Sequence, residues 1–292
     1  NAANSPQTVS VSLKVYNDGE TQNPFGDFAT PSEGSTVSGS IPVTGWALDD
    51  IEVIKVEIYS GEIYVGDAVF IEGARPDIEL AYPGYPLNYR AGWGYMLLTN
   101  FLPGGGNGTY TLEARATDGE GHQVSLGTKA IIVDNIHAVK PFGAIDTPAQ
   151  GGSAAGKFII WGWVLTPPPS MIPKSGKTID VYVDGVLRGN PVYNYYRPDV
   201  ASLFPGYTNS GGAGAGTGVD TTAYANGIHS IYWVATDDAG NSDGIGSRYF
   251  FIENLGNSNS LAAVHSNSPK YYTPNELESI PMRDMEPIKV TR

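Results

Sequence analysis

The chain repeats itself once, and this internal repeat constrains the fold more than any other feature of the sequence. Pro24-Phe25-Gly26 returns as Pro141-Phe142-Gly143, and Gly45-Trp46 returns as Gly162-Trp163, both at an offset of 117 positions. The offset grows to 122 for the Arg-Pro-Asp motif at Arg75 and falls to 119 for the closing stretch, so loops of different length separate the same strands. Each unit spans roughly 112 to 118 residues, the size of one sandwich domain.

The repeat divides the chain into two domains and two end segments. We predict β-sandwich domains over residues 24–136 and 137–254, with a joint at residues 136–140 that is too short to let them move far independently. Residues 1–23 form an extension whose alternating apolar residues 9–15 predict a strand that pairs with the first domain or with another chain. Residues 255–292 read as a linker, and we expect the chain to be a piece of something longer.

Composition excludes several classes of function. The net charge of −13 disfavours nucleic acid, since no basic surface is available to replace counterions along a phosphate backbone. No apolar run reaches the roughly 18 to 20 residues of a membrane span, so the chain is expected to be soluble or already processed. The absence of cysteine excludes disulfides and thiol chemistry. Abundant Thr, Ser, Asn, Gly and Tyr with few lysines predict an exported, extracellular or cell-surface protein.

The local patterns predict an all-β fold. Segments rich in β-branched and aromatic residues predict strands over residues 158–164, 178–183, 228–235 and 248–252, with counterparts at 110–116 and 129–133. Asn107-Gly108 and Asn226-Gly227 are interpreted as hairpin turns.

One short helix is predicted in each unit, at the Arg-Pro-Asp motif. Residues 197–204 and their twin, residues 75–82, place Pro at the first helical position and Asp in the first turn. We predict that Arg75 with Asp77, and Arg197 with Asp199, hold these turns by hydrogen bonds.

A set of motifs in the second unit resembles a known family. The stretches concerned are Gly162-Trp163-Val164-Leu165, Val183-Asp184-Gly185, Arg197-Pro198-Asp199-Val200, Phe204-Pro205-Gly206-Tyr207 and Ala235-Thr236-Asp237-Asp238-Ala239-Gly240-Asn241. Together with their partial copies in the first unit they resemble tandem bacterial Ig-like (Big-type) repeats. The resemblance implies two tandem immunoglobulin-like β-sandwiches in an exported cell-surface or cell-wall-associated protein, with no catalytic activity.

The search for chemistry finds no constellation typical of an enzyme. Gly240-Asn241-Ser242-Asp243-Gly244 matches a nucleophile-elbow pattern, but the helix that this motif requires does not follow. The glycine-rich residues 211–218 lack the lysine of a phosphate loop and are interpreted as a flexible loop. The four histidines lack zinc-ligand spacing. We predict no catalytic residue and no cofactor.

Calcium is the one metal that the sequence suggests. Asp237, Asp238, Asn241 and Asp243 place several oxygen ligands in one loop near a module end. The alternative is an Asx turn with solvated carboxylates, since the spacing differs from that of an EF-hand loop.

Aromatic residues gather near the two Arg-Pro-Asp motifs and suggest an interaction surface. The candidates are Tyr85, Tyr89, Trp93, Tyr195, Tyr196 and Tyr207. Such rings suit sugar stacking or a protein interface, but they also suit packing of long loops over a small sandwich. Trp46 and Trp163 lie in predicted strands and are assigned to the cores.

These observations favour a non-catalytic extracellular structural or interaction module: a spacer, adhesion or assembly subunit. Its partner would be a protein or a second copy, engaged through the N-terminal strand or the C-terminal tail. The alternative is a carbohydrate-binding or cell-wall-binding accessory module of a larger secreted protein. An exposed planar strip of aromatic rings would favour the alternative, and buried rings would count against it.

Overall fold

The computed structural model describes residues 21–254, which form two β-sandwiches of the same topology. The all-β prediction is confirmed. The first sandwich, module one, contains nine strands: β1 (Phe25–Thr30), β2 (Thr36–Val37), β3 (Ser40–Leu48), β4 (Val53–Ser60), β5 (Ile63–Asp67), β6 (Val69–Phe70), β7 (Gly92–Leu98), β8 (Asn107–Asp118) and β9 (Gln123–Asp134). The strand predicted within residues 9–15 and the linker predicted at residues 255–292 lie outside the described residues.

Module two repeats the nine strands in the same order. They are β10 (Phe142–Thr147), β11 (Ser153–Ala154), β12 (Lys157–Leu165), β13 (Ile179–Val183), β14 (Val186–Gly189), β15 (Val192–Tyr195), β16 (Gly214–Asp220), β17 (Gly227–Thr236) and β18 (Ser242–Ile252). The sheet orders β1-β3-β7-β6 and β2-β9-β8-β4-β5 in module one become β10-β12-β16-β15 and β11-β18-β17-β13-β14 in module two.

Alternation along the strands builds each core. In β8, Leu112, Ala114 and Ala116 are buried, whereas the residues between them face outward. In β17, Ile231, Trp233 and Ala235 do the same. Since side chains of a strand point alternately to its two faces, this pattern places one face of each sheet against the other sheet.

One tryptophan fills the same space in both cores but comes from opposite sheets. Trp93 of β7 lies against Gly45, and Trp233 of β17 lies against Gly162, which occupies the equivalent position in the repeat. Alanine stands at the vacated position in each case, Ala114 in module one and Ala215 in module two. The repeat therefore conserves the volume of the core while exchanging the strand that supplies it.

The Arg-Pro-Asp motifs form short helices, as predicted. Helix α1 spans Pro76–Ala81 and helix α3 spans Pro198–Leu203, each with Pro in the first turn. A further short helical turn, α2, spans Pro103–Gly106. The arginine of each motif donates to the aspartate two positions later, Arg75 to Asp77 and Arg197 to Asp199.

Two local predictions were wrong. Residues 211–218 were expected to be a loop, but Gly214–Asp220 is strand β16, because its glycines let the ring of Trp161 lie against the backbone of Gly216. Asn107-Gly108 and Asn226-Gly227 were expected to be hairpin turns, but they open strands β8 and β17.

The asparagines of the two Asn-Gly pairs close the end of each module instead of forming a turn. Asn107 Oδ1 accepts the backbone N–H of Asn135 at 2.9 Å, and Asn226 Oδ1 accepts that of Asn254 at 2.8 Å. The hydroxyls of Thr99 and Thr221 in turn donate to Asn135 Oδ1 and Asn254 Oδ1.

Candidate functional site

The aromatic residues near the second Arg-Pro-Asp motif form a cluster at the end of module two that faces module one. Strands β10 and β12 and helix α3 supply most of its side chains, and its rings meet at angles from 39° to 89°. We name it the joint cluster. Its members from module two are Phe142, Trp163, Leu165, Val200, Phe204, Tyr207 and Ala213.

Module one contributes two apolar side chains to the joint, Leu98, which is buried, and Phe101, which is 43% exposed and packs on the edge of the joint cluster. Leu98, at the end of β7, is part of the cluster and is almost fully buried. The ring of Phe101, one short turn later, lies 6.2 Å from that of Trp163 and 6.3 Å from that of Phe204, measured between centroids. The two modules therefore share one apolar core at the joint.

Polar contacts add to the apolar ones across the joint. The Ser40 hydroxyl of module one lies within hydrogen-bond distance of two carbonyl oxygens of module two, those of Gly143 at 3.0 Å and Ile245 at 3.1 Å. Lys140 of the connecting segment lies 3.6 Å from Asp243 of module two. Directional bonds of this kind favour one relative orientation of the modules.

A second aromatic cluster lies at the opposite end of module one. We name it the free-end cluster, and its members stand at the positions of the repeat that form the joint cluster: Phe25, Trp46, Leu48, Ile78, Tyr82, Tyr85 and Ala91. Most of its rings meet edge to face, as with Tyr82 and Tyr85 at 86°, whereas Trp46 and Tyr82 are tilted by 32°.

The structure separates the predicted interaction residues into three groups. Tyr89 and Tyr196 are 42% and 49% exposed. Tyr85 and Tyr207 are half-buried members of the free-end and joint clusters, and Tyr195 packs edge-on against Trp161 at 5.1 Å.

The prediction that Trp93 belongs to an interaction surface was wrong, because its side chain lies in the core of module one. Its β7 position points into the sandwich, where the absence of a Cβ at Gly45 leaves room for the indole. Trp163 is buried as predicted, whereas Trp46 is only half-buried, since within residues 21–254 no second module covers its end of module one.

The Arg197 motif is tied into the fold more tightly than its twin. The Arg197 guanidinium bonds Asp199 and also reaches Asp146 of β10, with Nη1 2.6 Å from Oδ2. Burial raises the pKa of Asp199, but the hydrogen bond and charge of Arg197 outweigh it and lower that pKa. In module one, Arg75 bonds the exposed Asp77 and holds its pKa at about 2.

The four residues of the predicted calcium loop engage in protein hydrogen bonds. Asp237 is buried and accepts the N–H groups of Ala239 and Asn241 and the hydroxyl of Thr166. Asp238 accepts Met171 N–H, and Asp243 accepts Gly244 N–H. Asp237 therefore forms an Asx turn, and calcium binding by this loop stays a prediction.

The corresponding loop of module one brings together three possible metal ligands within the described residues. The ligand atoms of Asp118, Glu120 and His122 lie within 4.8 Å of one another. Asp118 is buried, and its oxygens accept the N–H groups of Glu120 and His122 and contact His122 Nδ1 at 2.7 Å. The carboxylate thus orders its own loop.

A cleft of about 430 Å³ runs beside the joint. Phe101 from module one and Phe204 and Tyr207 from module two lie along it, next to Pro167 and Pro168. The three rings that line the cleft also pack the two modules together, so the cleft is the solvent-exposed edge of the joint.

The module-one residues of the joint were not predicted from the sequence. Leu98, Phe101 and Ser40 were not singled out, although the repeat carries a signal for the first two. At the equivalent positions, module two has Asp220 and Ala223, which follow from the shared register of β7 and β16. An apolar pair that the second copy replaces by polar or small residues indicates a contact specific to the first copy.

Two sandwiches of identical strand order define the chain as a tandem pair of immunoglobulin-like modules. Residues 24–71 match the family model of the bacterial Ig domain. No curated protein matches the chain. Among the described residues, no helix has the length and apolar character needed to cross a membrane.

Solved structures with similar architecture share little sequence with the chain. The fibronectin(III)-like modules of Clostridium thermocellum CbhA are 17% identical, with a TM-score of 0.28, and the match covers 83% of this chain and 100% of that one. Dimeric latent PorU from Porphyromonas gingivalis is 12% identical with a TM-score of 0.41, covering 84% of this chain and 21% of that one. The description of the fold therefore rests on strand order and register.

Proposed function

We propose that the chain is a non-catalytic extracellular module that acts as a semi-rigid spacer and presents its loops to protein partners. Bacterial Ig domains are typically found in surface or exported proteins. The observation that carries the proposal is the shared core at the joint, where Leu98 and Phe101 pack into the cluster around Trp163. A joint of this kind fixes the orientation of one module relative to the next.

The arrangement of the rings supports this role over carbohydrate binding. Stacking on a sugar requires an open, flat ring face. In the free-end cluster, four of the five ring pairs meet edge to face, as with Tyr82 and Tyr85 at 86°, and the fifth, Trp46 with Tyr82, is tilted by 32°. At the joint, the corresponding rings are occupied by module one.

The proposal is tested by measuring the distance between the modules. Because the chain contains no cysteine, Glu62→Cys in module one and Leu187→Cys in module two create two unique sites for spin labels. Both positions are exposed. We expect a narrow distance distribution by pulsed electron paramagnetic resonance.

The decisive comparison uses a variant that carries Leu98→Asp and Phe101→Ala, the residues that module two has at these positions. We expect the distance distribution to broaden. Val139→Ala, which removes an exposed apolar side chain from the connecting segment, is the matched control and should leave the distribution unchanged. A broad distribution in the parent chain would refute the spacer role.

A further inference from the structure

The free-end cluster of module one has the composition of a docking site that is occupied in module two. Phe25, Trp46 and Tyr82 stand where Phe142, Trp163 and Phe204 stand in the joint cluster. The three residues of module two are buried, whereas those of module one are half-buried. The difference arises because Leu98 and Phe101 cover the joint cluster.

Helix α1 carries a further exposed apolar side chain. Leu80 is 82% exposed, and its counterpart on helix α3 is Ser202. Leu80 lies two positions from both Ile78 and Tyr82, so it does not share their face of the helix and adds a separate apolar group at this end of module one.

We propose that the free-end cluster docks the end of a further Ig-like module that precedes module one in the same polypeptide, as module one precedes module two. The docking module would carry apolar side chains at the positions of Leu98 and Phe101. The inference rests on the proposed function, since a rigid series of modules needs this contact at each joint. It continues an interface that the structure already contains once.

The sequence before module one supports this occupant. Leu13, Val15 and Asn17 have the spacing of Ile131 and Val133, near the end of the last strand of module one, and of Asn135, just after that strand. Ile131 and Val133 are buried in the core, and Asn135 Oδ1 accepts a hydrogen bond from the Thr99 hydroxyl. Asn17 precedes Phe25 by eight positions, and Asn135 precedes Phe142 by seven. The sequence pattern found before module two thus recurs before module one.

A second copy of this chain is the weaker candidate. The exposed end of module two offers Asp220 and Ala223 at the positions of Leu98 and Phe101. A carboxylate placed against Phe25 and Trp46 would lose hydration without gaining a partner. The occupant must therefore differ from module two at these two positions.

The test is a three-module chain made of residues 1–140 followed by residues 24–292. This connection keeps the sequence Lys-Pro-Phe at the new joint, as in Lys140-Pro141-Phe142. With Glu62→Cys in both copies of module one, the spin-label distance between them should be distributed as narrowly as the distance between modules one and two. Leu98→Asp with Phe101→Ala in the outer copy should broaden it; module two carries these residues naturally, so the variant is compatible with the fold.

Three results would overturn the inference. One is a distance distribution in the parent three-module chain as broad as that of the double variant.

Another is the finding by analytical ultracentrifugation that the 292-residue chain is a dimer and that Leu80→Asp dissociates it, since the occupant would then be a second copy. The third is a rise in acrylamide quenching of Trp46, judged against Trp46→Phe, when residues 1–20 are deleted, because the chain's own segment would then cover the cluster. If one of these results is obtained but the spin-label distance between modules one and two is narrowly distributed, the docking inference fails and the proposed spacer role stands.

Discussion

At the scale of the residue, the two Arg-Pro-Asp motifs show that the same sequence pattern can contribute differently to the free energy of unfolding. Arg197 and its partner Asp146 have side chains only 15% and 12% exposed, whereas Asp77, the partner of Arg75, is 61% exposed. Exposed ion pairs contribute little because water and salt screen them, while a buried charge that loses its partner is costly.

We therefore expect Arg197→Ala to lower the free energy of unfolding by about 3 to 5 kcal/mol, since it leaves Asp146 buried without its cation. Arg75→Ala is the matched control and should have a much smaller effect. Urea unfolding followed by tryptophan fluorescence measures both. Equal losses in the two variants would show that the contact with Asp146, the second carboxylate partner, is not what makes Arg197 important.

Asp49 is a residue whose charge works against the fold. It is buried, its Oδ2 accepts the N–H groups of Ile51 and Glu52, and its Oδ1 finds no hydrogen-bond partner among the described residues. Burial raises the pKa of Asp49, and the charges of Asp50 and Asp118 raise it further. The equivalent position in module two holds Thr166, whose hydroxyl donates to Asp237.

Because the pKa of Asp49 is higher in the folded chain, the unfolded chain ionises first as the pH rises above the ordinary value of 3.8, and stability falls. Asp49→Asn removes this loss, so we expect a gain of about 1 kcal/mol near neutral pH. The gain should vanish well below the ordinary pKa. Asp49→Ala, which also loses both accepted hydrogen bonds, should destabilise the chain. Thermal unfolding across the acid range would show a pH-independent effect if the charge were irrelevant.

At the scale of the element, the exchange of Trp93 and Ala114 for Ala215 and Trp233 shows that strands of opposite sheets supply one common volume. Both indoles lie against a glycine of the first sheet, Gly45 or Gly162, and both partner alanines are fully buried. Close-packed cores fix the total volume more strictly than the strand that contributes it.

This exchange predicts a rescue. Trp93→Ala alone should cost about 3 to 5 kcal/mol by leaving a cavity, and Ala114→Trp alone about 1 to 3 kcal/mol by overpacking. The double variant should be more stable than the Trp93→Ala variant, because it reproduces the pairing of module two. A double-mutant cycle from urea unfolding gives the coupling energy. Additive losses would contradict a shared volume.

At the scale of the whole molecule, the joint makes the two modules unequal although their sequences are repeats. Helix α3 packs against side chains of module one, whereas its twin α1 lies at the free end and carries the exposed Leu80. Elements with fewer buried contacts open more readily, so the same helix should differ in stability between the modules.

We expect slower amide hydrogen exchange in α3 (Pro198–Leu203) than in α1 (Pro76–Ala81) of the parent chain. Leu98→Asp with Phe101→Ala should raise the exchange rate of α3 to about that of α1 and leave α1 itself unchanged. Mass spectrometry of peptides from both helices provides the measurement and its internal control. Unchanged exchange in α3 would mean that module one does not stabilise it.

The sequence by itself determined the strands rich in β-branched and aromatic residues, the number of modules and the Arg-Pro-Asp turns. These features depend on alternation, on Pro and on contacts between near neighbours such as Arg197 and Asp199, all of which act locally. It did not determine that Asn107-Gly108 opens a strand, since that outcome depends on Asn135 across the sheet.

Only the tertiary structure decided which aromatic residues form cores and which form docking surfaces. Trp46 and Trp163 have the same local sequence, yet one is half-buried and the other buried, because only the second meets Leu98 and Phe101. Trp93 lies near the motif of the surface rings but fills the core, because Gly45 of another strand leaves it space. Burial of a ring is set by what packs against it from a distant part of the chain, and no local pattern contains that information.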